Sequence, residues 1–167
     1  MNSNFFSSCN NQSISKLNNR NLSVKIGNTN NNKVSMKQNL VEIKNALINY
    51  DMNKIFKSLK EVYFDGKMIN GMKEGMGKVV YDNGIIYEGM LKEGMKEGEG
   101  KLSVNGVIIF EGNFVHDSIE GQGYLKFFKY LTHSSYGCPK ALQNASYYGM
   151  FGSNQFNGMG TLFLNDK

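Results

Sequence analysis

Large apolar residues alternate with other residues through the C-terminal two thirds of the chain. In one such stretch, Tyr87, Gly89 and Leu91 fall on one face of an extended segment. After a turn at residues 92–97, alternate residues from Gly98 to Val104 fall on one face of a second segment. Side chains of a β-strand point to opposite faces with period two, so this pattern predicts a β-hairpin with an apolar inner face and a polar outer face.

The hairpin pattern repeats. Units one to three begin at Phe64, Tyr87 and Phe110, 23 residues apart, and unit four begins at Tyr147, 37 residues after Phe110. Each opening aromatic is followed eleven positions later by a Gly-x-Gly pair. A fixed period predicts a modular array. We therefore expect an all-β array of four hairpins over residues 63–167, forming an elongated, twisted single-layer sheet, with an insertion at about residues 128–146.

Three inner-face glycines in each unit stand beside large aromatic residues. Glycine leaves room for a neighbouring ring, so the inner face is predicted to be a trough in which aromatic side chains pack over glycine. These aromatics are first of all the packing core, and the trough could also accept a helix from a partner. They are Phe64, Tyr81, Tyr87, Phe110, Phe114, Phe127, Tyr147 and Phe151.

Residues 40–62 have helical rather than alternating spacing. Their apolar positions follow the i, i+3, i+4 rule and predict one amphipathic helix. Two interpretations remain open, since the apolar stripe either covers the open end of the array or docks on a partner protein or membrane. The stripe consists of Leu40, Ile43, Leu47, Ile48, Met52, Ile55, Phe56 and Leu59.

Residues 1–39 are rich in Asn, Ser and Lys, and we expect this tail to be disordered, or ordered only by a partner, because it has few large apolar groups to bury. Residues 1–62 contain nine basic and three acidic residues, a net charge of +6, whereas residues 63–167 contain ten and eleven, a net charge of −1. The basic segment is either solvated or contacts anionic lipid or an acidic protein surface. Nucleic acid is not expected, because aromatics do not interleave the basic residues. The lipid-contact candidates are Lys33, Lys37, Lys44, Lys54, Lys57 and Lys60.

Each unit begins with an aromatic residue, followed by an acidic residue or Tyr, then Gly, any residue and a large apolar residue, and a Gly-x-Gly pair comes later in the unit. This order resembles the MORN repeat (membrane occupation and recognition nexus). It is clearest from Tyr87 to Leu102. The resemblance implies a hairpin array used for protein–protein association, often in cytoskeletal, axonemal or membrane-junction assemblies. The chain departs from the pattern at Met68 and Leu91, where the family usually has Trp or Phe, and at Asp117, where units one and two have Gly.

The sequence contains no complete motif for nucleotide or metal binding. Gly77-Lys78 and Gly100-Lys101 lack the Ser or Thr of a phosphate-binding loop, and no third glycine completes a dinucleotide fingerprint. The only His and Cys residues do not form the paired spacing of a metal site. No catalytic residue, metal or cofactor is therefore predicted. Glu74, Glu97 and Glu120 precede the Gly-x-Gly of successive units and are expected to form a solvated ladder or to support loop backbone.

The outer face of unit four differs from the largely polar outer faces predicted for units one to three. It carries Tyr148, Met150, Met159 and Phe163. A solvated sheet face does not need apolar groups, so either the insertion folds over this patch or another subunit, including a second copy of the chain in a homodimer, contacts it.

These observations favour a non-catalytic scaffold or adaptor that binds other proteins, such as cytoskeletal or assembly subunits, in the cytoplasm and in association with the cytoskeleton, a cilium or a membrane. The alternatives are a peripheral membrane module that binds anionic phospholipid and an accessory subunit of a multi-chain enzyme.

Overall fold

The computed structural model describes residues 15–17, 22–27, 33–57, 59–127 and 140–164. Within these residues, ten strands form one sheet, and two helices precede the long run of hairpins. The helices are α1 (Lys33–Asn49) and α2 (Met52–Lys57). The strands are β1 (Ser15–Leu17), β2 (Leu22–Gly27), β3 (Glu61–Ile69), β4 (Met72–Tyr81), β5 (Ile85–Lys92), β6 (Met95–Val104), β7 (Val107–Val115), β8 (Ser118–Lys126), β9 (Ser146–Gly152) and β10 (Gln155–Phe163).

Strands β3 to β10 pair in sequence order, each antiparallel to the next, which confirms the predicted array of four hairpins. One glycine in every strand faces a glycine in each neighbouring strand of this run, from Gly66 opposite Gly77 to Gly149 opposite Gly160. The insertion lies between β8 and β9 without disturbing this register, since Gly123 still faces Gly149.

The two-residue turn inside each hairpin has positive φ at both central positions. The turn residues are Asn70-Gly71 in unit one, Glu93-Gly94 in unit two, His116-Asp117 in unit three and Ser153-Asn154 in unit four. Two positive φ angles match the right-handed twist of the flanking strands. Asp117 adopts the left-handed conformation at φ 66° in the position where Gly94 has φ 83°.

The two edges of the sheet differ. Parallel to β10 lies β2, with Gly160 opposite Val24, and β1 pairs with the far side of β2. Both strands belong to the tail for which we predicted no ordered structure, so the prediction is wrong at residues 15–17 and 22–27. In β2, Leu22, Val24 and Ile26 alternate with Ser23 and Lys25, a period-two strand pattern that the polar composition of the whole tail conceals. At the opposite edge, β3 has no outer neighbour among the described residues.

The helical segment also differs from the single helix predicted over residues 40–62. Helix α1 begins at Lys33, the helical segment is interrupted at Tyr50–Asp51, and β3 begins at Glu61. The N–H of Asn53 donates to Asp51 Oδ1 at 3.0 Å, which makes Asp51 the N-cap of α2. The buried face of this segment also differs from the predicted stripe, because Ile48 is exposed while Ala46 and Tyr50 are buried.

The helices pack against the inner face of the sheet. The Tyr50 ring lies 5.0 Å from that of Phe127, edge to face, and 6.2 Å from that of Phe156. Asn154, in the turn of unit four, donates from Nδ2 to Oδ1 of Asn53 at 3.0 Å. Ile43, Leu47 and Met52 of the predicted stripe are therefore buried against the array itself, over units three and four rather than at its open end. Neither described helix has the length and apolarity needed to cross a lipid bilayer.

Candidate interaction surfaces

The predicted trough aromatics form one contiguous core. All are buried except Phe64, which is partly buried against the same cluster. Neighbouring rings meet edge to face, from Tyr87 and Phe114 at 5.2 Å to Phe110 and Phe151 at 5.5 Å. Edge-to-face ring contacts stabilise the fold beyond the gain from burying the apolar area of the rings. With α1 and α2 packed on this face, a partner could reach the aromatics of units three and four only after the helices leave.

Glycine is required beneath the opening aromatic. A Cβ on Gly100 would lie 2.5 Å from Cε2 of Tyr87, which real Cβ atoms do not tolerate. The Tyr87 hydroxyl donates to the carbonyl of Met90 at 2.6 Å, and that of Tyr147 donates to Met150 at 3.3 Å. Burial raises the pKa of Tyr147 to about 12. Burial, together with Tyr81 and the carboxylates of Asp117 and Glu97, raises the pKa of Tyr87 above its ordinary value.

A repeated clamp joins each hairpin to the next. Glu74 accepts a hydrogen bond from the N–H of Glu93 at 3.0 Å, and Glu97 accepts one from His116 at 2.9 Å. Glu120 accepts one from Ser153 at 2.6 Å. The expectation that these carboxylates support loop backbone is confirmed.

Asp117 extends the clamp. Its Oδ1 accepts from the backbone N–H of Lys96 at 3.0 Å and from Lys96 Nζ at 2.6 Å. Lys96 is only 8% exposed, and its ammonium also lies 3.3 Å from the Tyr81 hydroxyl and 5.8 Å from the Tyr87 ring centroid. In the next unit the Asn154 side chain repeats the backbone contact, accepting from the N–H of Ile119 at 2.7 Å.

The outer face carries a row of directly opposed residues that crosses the sheet. Acidic and basic side chains alternate over the first five strands, and Lys101 Nζ lies 3.4 Å from Glu88 Oε2. The row then changes to aromatic residues in units three and four. In strand order it reads Asp65, Lys78, Glu88, Lys101, Glu111, Tyr124, Tyr148 and Thr161.

Methionines occupy a second outer-face row. Met76 and Met90 face each other on β4 and β5, and Met76 is 67% exposed. Val80 and Ile86 form a further apolar pair on the same two strands. The outer faces of units one and two therefore carry apolar pairs among their charged residues, which the prediction of largely polar outer faces did not include. Strict alternation from Tyr87 would have found Ile86 and Met90, since both lie an odd number of residues from it.

The patch predicted on unit four is brought together on one face of β9 and β10. Tyr148 lies opposite Thr161, and Met159 is 69% exposed. Met150 is exposed as well, whereas Tyr148 and Phe163 are half-buried. Residues 128–139 of the insertion lie outside the described residues. The described end of the insertion forms a short 3-10 helix, Lys140–Leu142, whose Leu142 is buried in the core beside α1 rather than over this patch.

Comparison with known families identifies the repeat. The model of the MORN repeat family matches three segments, residues 64–86, 87–107 and 110–130. This chain carries three MORN repeats. A search of curated proteins gave no match to it.

The MORN repeat is a non-enzymatic module that generally mediates association with proteins or membranes. The three matched segments begin at the predicted starts of units one to three. The fourth hairpin of the MORN array lies outside them but keeps the same geometry: a Cβ on Gly149 would lie 2.5 Å from the Tyr147 hydroxyl, as one on Gly89 would from that of Tyr87.

The six lipid-contact candidates lie on or just after the helices. Lys33, Lys37 and Lys44 belong to α1, Lys54 and Lys57 to α2, and Lys60 precedes β3. Among them the side chains of Lys44 and Lys60 are described, the first half-exposed and the second exposed. Ile43, Leu47 and Met52 of the stripe between them are buried against the MORN array, so any lipid contact would rest on the lysines rather than on these residues.

Among the described residues, no group of three or more His, Cys, Asp or Glu side chains is arranged to hold a metal ion. Cys9, His133 and Cys138 lie outside the described residues. His116 occupies a turn, and its backbone N–H is held by Glu97.

Proposed function

We propose that this protein is a non-catalytic scaffold or adaptor that binds a partner protein through the outer face of unit four. The observation that carries the proposal is the exposed apolar patch around Met150 and Met159, on a sheet whose inner face over units three and four is covered by the chain's own helices. We place this role in the cytoplasm, within a larger assembly such as one attached to the cytoskeleton.

Physical reasons favour the outer face. A partner that covers Met150 and Met159 removes flexible thioether side chains from water without first displacing part of the protein. Tyr124 and Tyr148 continue the patch with amphipathic rings, which contribute strongly to interfaces. The adjoining charge row, from Asp65 to Glu111, would set the orientation of a partner more than its affinity.

The test is recovery of partners from native cells with Met150→Ser combined with Met159→Ser. We expect the double variant to lose the proteins that survive a high-salt wash with the wild type. The matched control is Met76→Ser with Met90→Ser, which changes the same residue type on the outer face of units one and two. Retention of all partners by the unit-four variant would refute the proposed surface.

Vesicle flotation separates this role from binding to anionic phospholipid. The scaffold proposal predicts that flotation of the protein with vesicles does not depend on Lys44 and Lys60. Binding that requires acidic lipid and disappears in Lys44→Glu with Lys60→Glu would favour the membrane role instead. A catalytic chain among the recovered partners would indicate an accessory subunit of an enzyme complex.

A further inference from the structure

Within the part of the chain that the structure describes, the outer side of β3 pairs with no strand. This strand is nine residues long, and every residue is exposed except Phe64, which is partly buried. Edge strands in natural proteins are usually blunted by bulges, proline or very short length. The β3–β4 pair has one extra residue in β3, Val62, near the start of the strand, but residues 63–69 each pair with a residue of β4, and β3 contains no proline. Tyr63 and Met68 are 57% and 52% exposed.

The sequence of β3 is complementary to itself. In the array, glycine faces glycine at every strand pair, including the junction of units one and two, where Gly77 faces Gly89 and Lys78 faces Glu88. Extending that rule beyond β3 places Gly66 opposite Gly66 of a second, antiparallel copy. Asp65 then faces Lys67 of the second copy, and the contact occurs twice because the arrangement is two-fold symmetric.

The same register pairs the apolar residues of the strand. Phe64 faces Met68 of the second copy on the inner face, and Tyr63 faces Ile69 on the outer face. Cross-strand apolar and opposite-charge pairs are the contacts that stabilise a sheet. Within one chain, Phe64 has Val79 on one side and no strand on the other among the described residues.

Two other pairings are weaker. A register centred on Phe64 would place Glu61 opposite Lys67 of the second copy, but Glu61 already pairs with Lys73 of its own chain. The same register would place Val62 opposite Gly66. Head-to-tail pairing of β3 with the opposite edge strand, β1, would use a strand of only three residues.

We infer that two copies of this chain associate through β3, antiparallel and centred on Gly66, so that one continuous sheet runs through both copies. The occupant of this edge is a second copy of the protein, and the inference does not depend on which protein binds the outer face of unit four.

Charge reversal on the full-length chain tests the register. We expect Asp65→Lys and Lys67→Asp each to weaken dimerisation roughly tenfold or more in sedimentation or light-scattering experiments, since each places like charges opposite one another at both symmetric contacts. The double variant D65K/K67D restores opposite charges and should recover the wild-type dimerisation constant. Within one chain these residues face Lys78 and Glu74, so the double exchange cannot recover dimerisation by improving the monomer.

Cysteine pairing tests the same register independently. With Cys9 and Cys138 changed to Ser, a mixture of Asp65→Cys and Lys67→Cys chains should form a disulfide-linked dimer that neither variant forms alone. The Met150→Ser/Met159→Ser variant should keep the dimer, which separates this inference from the proposed function.

Several results would overturn the inference. The full chain remaining monomeric at about 100 µM would do so, since an interface this weak would have no role at cellular concentrations. A dimer that ignores both single charge reversals, an Asp65→Cys chain that cross-links to itself, or an open-ended series of larger oligomers would each place the contact elsewhere.

Discussion

Asp117 and Lys96 show how one residue changes the requirements on another. Asp117 occupies a turn position where glycine avoids strain, and its carboxylate compensates by holding the buried ammonium and backbone N–H of Lys96. In units three and four, Ile119 and Phe156 occupy the position that Lys96 occupies in unit two. These apolar side chains need no counter-charge. The residue at the turn and the residue across the clamp are therefore coupled.

We expect Asp117→Ala to lower the free energy of unfolding by about 2 kcal/mol, because it leaves a largely buried ammonium without its carboxylate. Lys96→Ile combined with Asp117→Asn copies the Ile119–Asn154 pair and should restore most of the loss. Urea unfolding of the three proteins measures both effects. Wild-type stability in Asp117→Ala would show that the ion pair contributes nothing.

Tyr87 and Tyr147 make a second prediction, on alkaline pH. Their folded pKa values lie above the ordinary value of about 10, so the unfolded chain loses these protons first as pH rises. Their contribution to stability is complete below pH about 10 and is lost as pH rises toward the folded values, about 12 for Tyr147. Phenylalanine fits the same position in units one and three, so Tyr87→Phe with Tyr147→Phe is a conservative control.

Melting temperatures at pH about 9 and about 11.5 test this linkage. The wild type should lose more stability between the two values than the double Phe variant. An equal loss in both proteins would assign the alkaline destabilisation to other groups, such as the lysines.

At the scale of elements, the Glu clamp explains how separate hairpins become one array. Each carboxylate satisfies a turn N–H of the following hairpin, and a neighbouring backbone bond, such as that from Asp117 N–H to Lys96 carbonyl at 3.0 Å, reinforces it. In a repeat array the coupling between neighbours determines how cooperatively the whole unfolds.

Glu97→Ala should therefore cost about 1 kcal/mol. Changing Glu74, Glu97 and Glu120 together should also broaden the unfolding transition, because hairpins then unfold more independently. Glu97→Gln keeps an acceptor oxygen and should remain close to the wild type. A triple alanine variant that unfolds as sharply as the wild type would mean that the aromatic core alone couples the hairpins.

The hairpins were predictable because strand periodicity and the aromatic–glycine spacing are both visible in the sequence. The patch on unit four was predictable for the same reason, since alternation from Tyr147 assigns Tyr148 and Met150 to one face. Strand β2 was missed although Leu22, Val24 and Ile26 alternate with Ser23 and Lys25, because the prediction of a disordered tail rests on overall composition rather than on this short pattern. The break at Asp51 was hidden as well, since the apolar spacing continues across it and only the capping bond reveals it.

At the scale of the whole molecule, the helices make the inner and outer faces unequal. Helix α1 contributes Leu47, 1% exposed, to the core, while its neighbour Ile48 is 38% exposed. Helices α1 and α2 are attached through one face, whereas each inner strand of the array is hydrogen-bonded on both sides. Local opening free energies differ across a protein according to such differences in contact.

Leu47→Asp should consequently detach the helices before it unfolds the sheet, because burying a carboxylate without a partner is strongly unfavourable. Hydrogen exchange should then be faster at α1 and α2 amides, while β5 to β8 stay protected, and a dye that binds exposed apolar surface should bind more strongly. Ile48→Asp, one residue further along, should change neither readout. If the strands lose protection together with the helices, the array does not hold its fold without them, and the inner face could not be opened to a partner helix without unfolding the array.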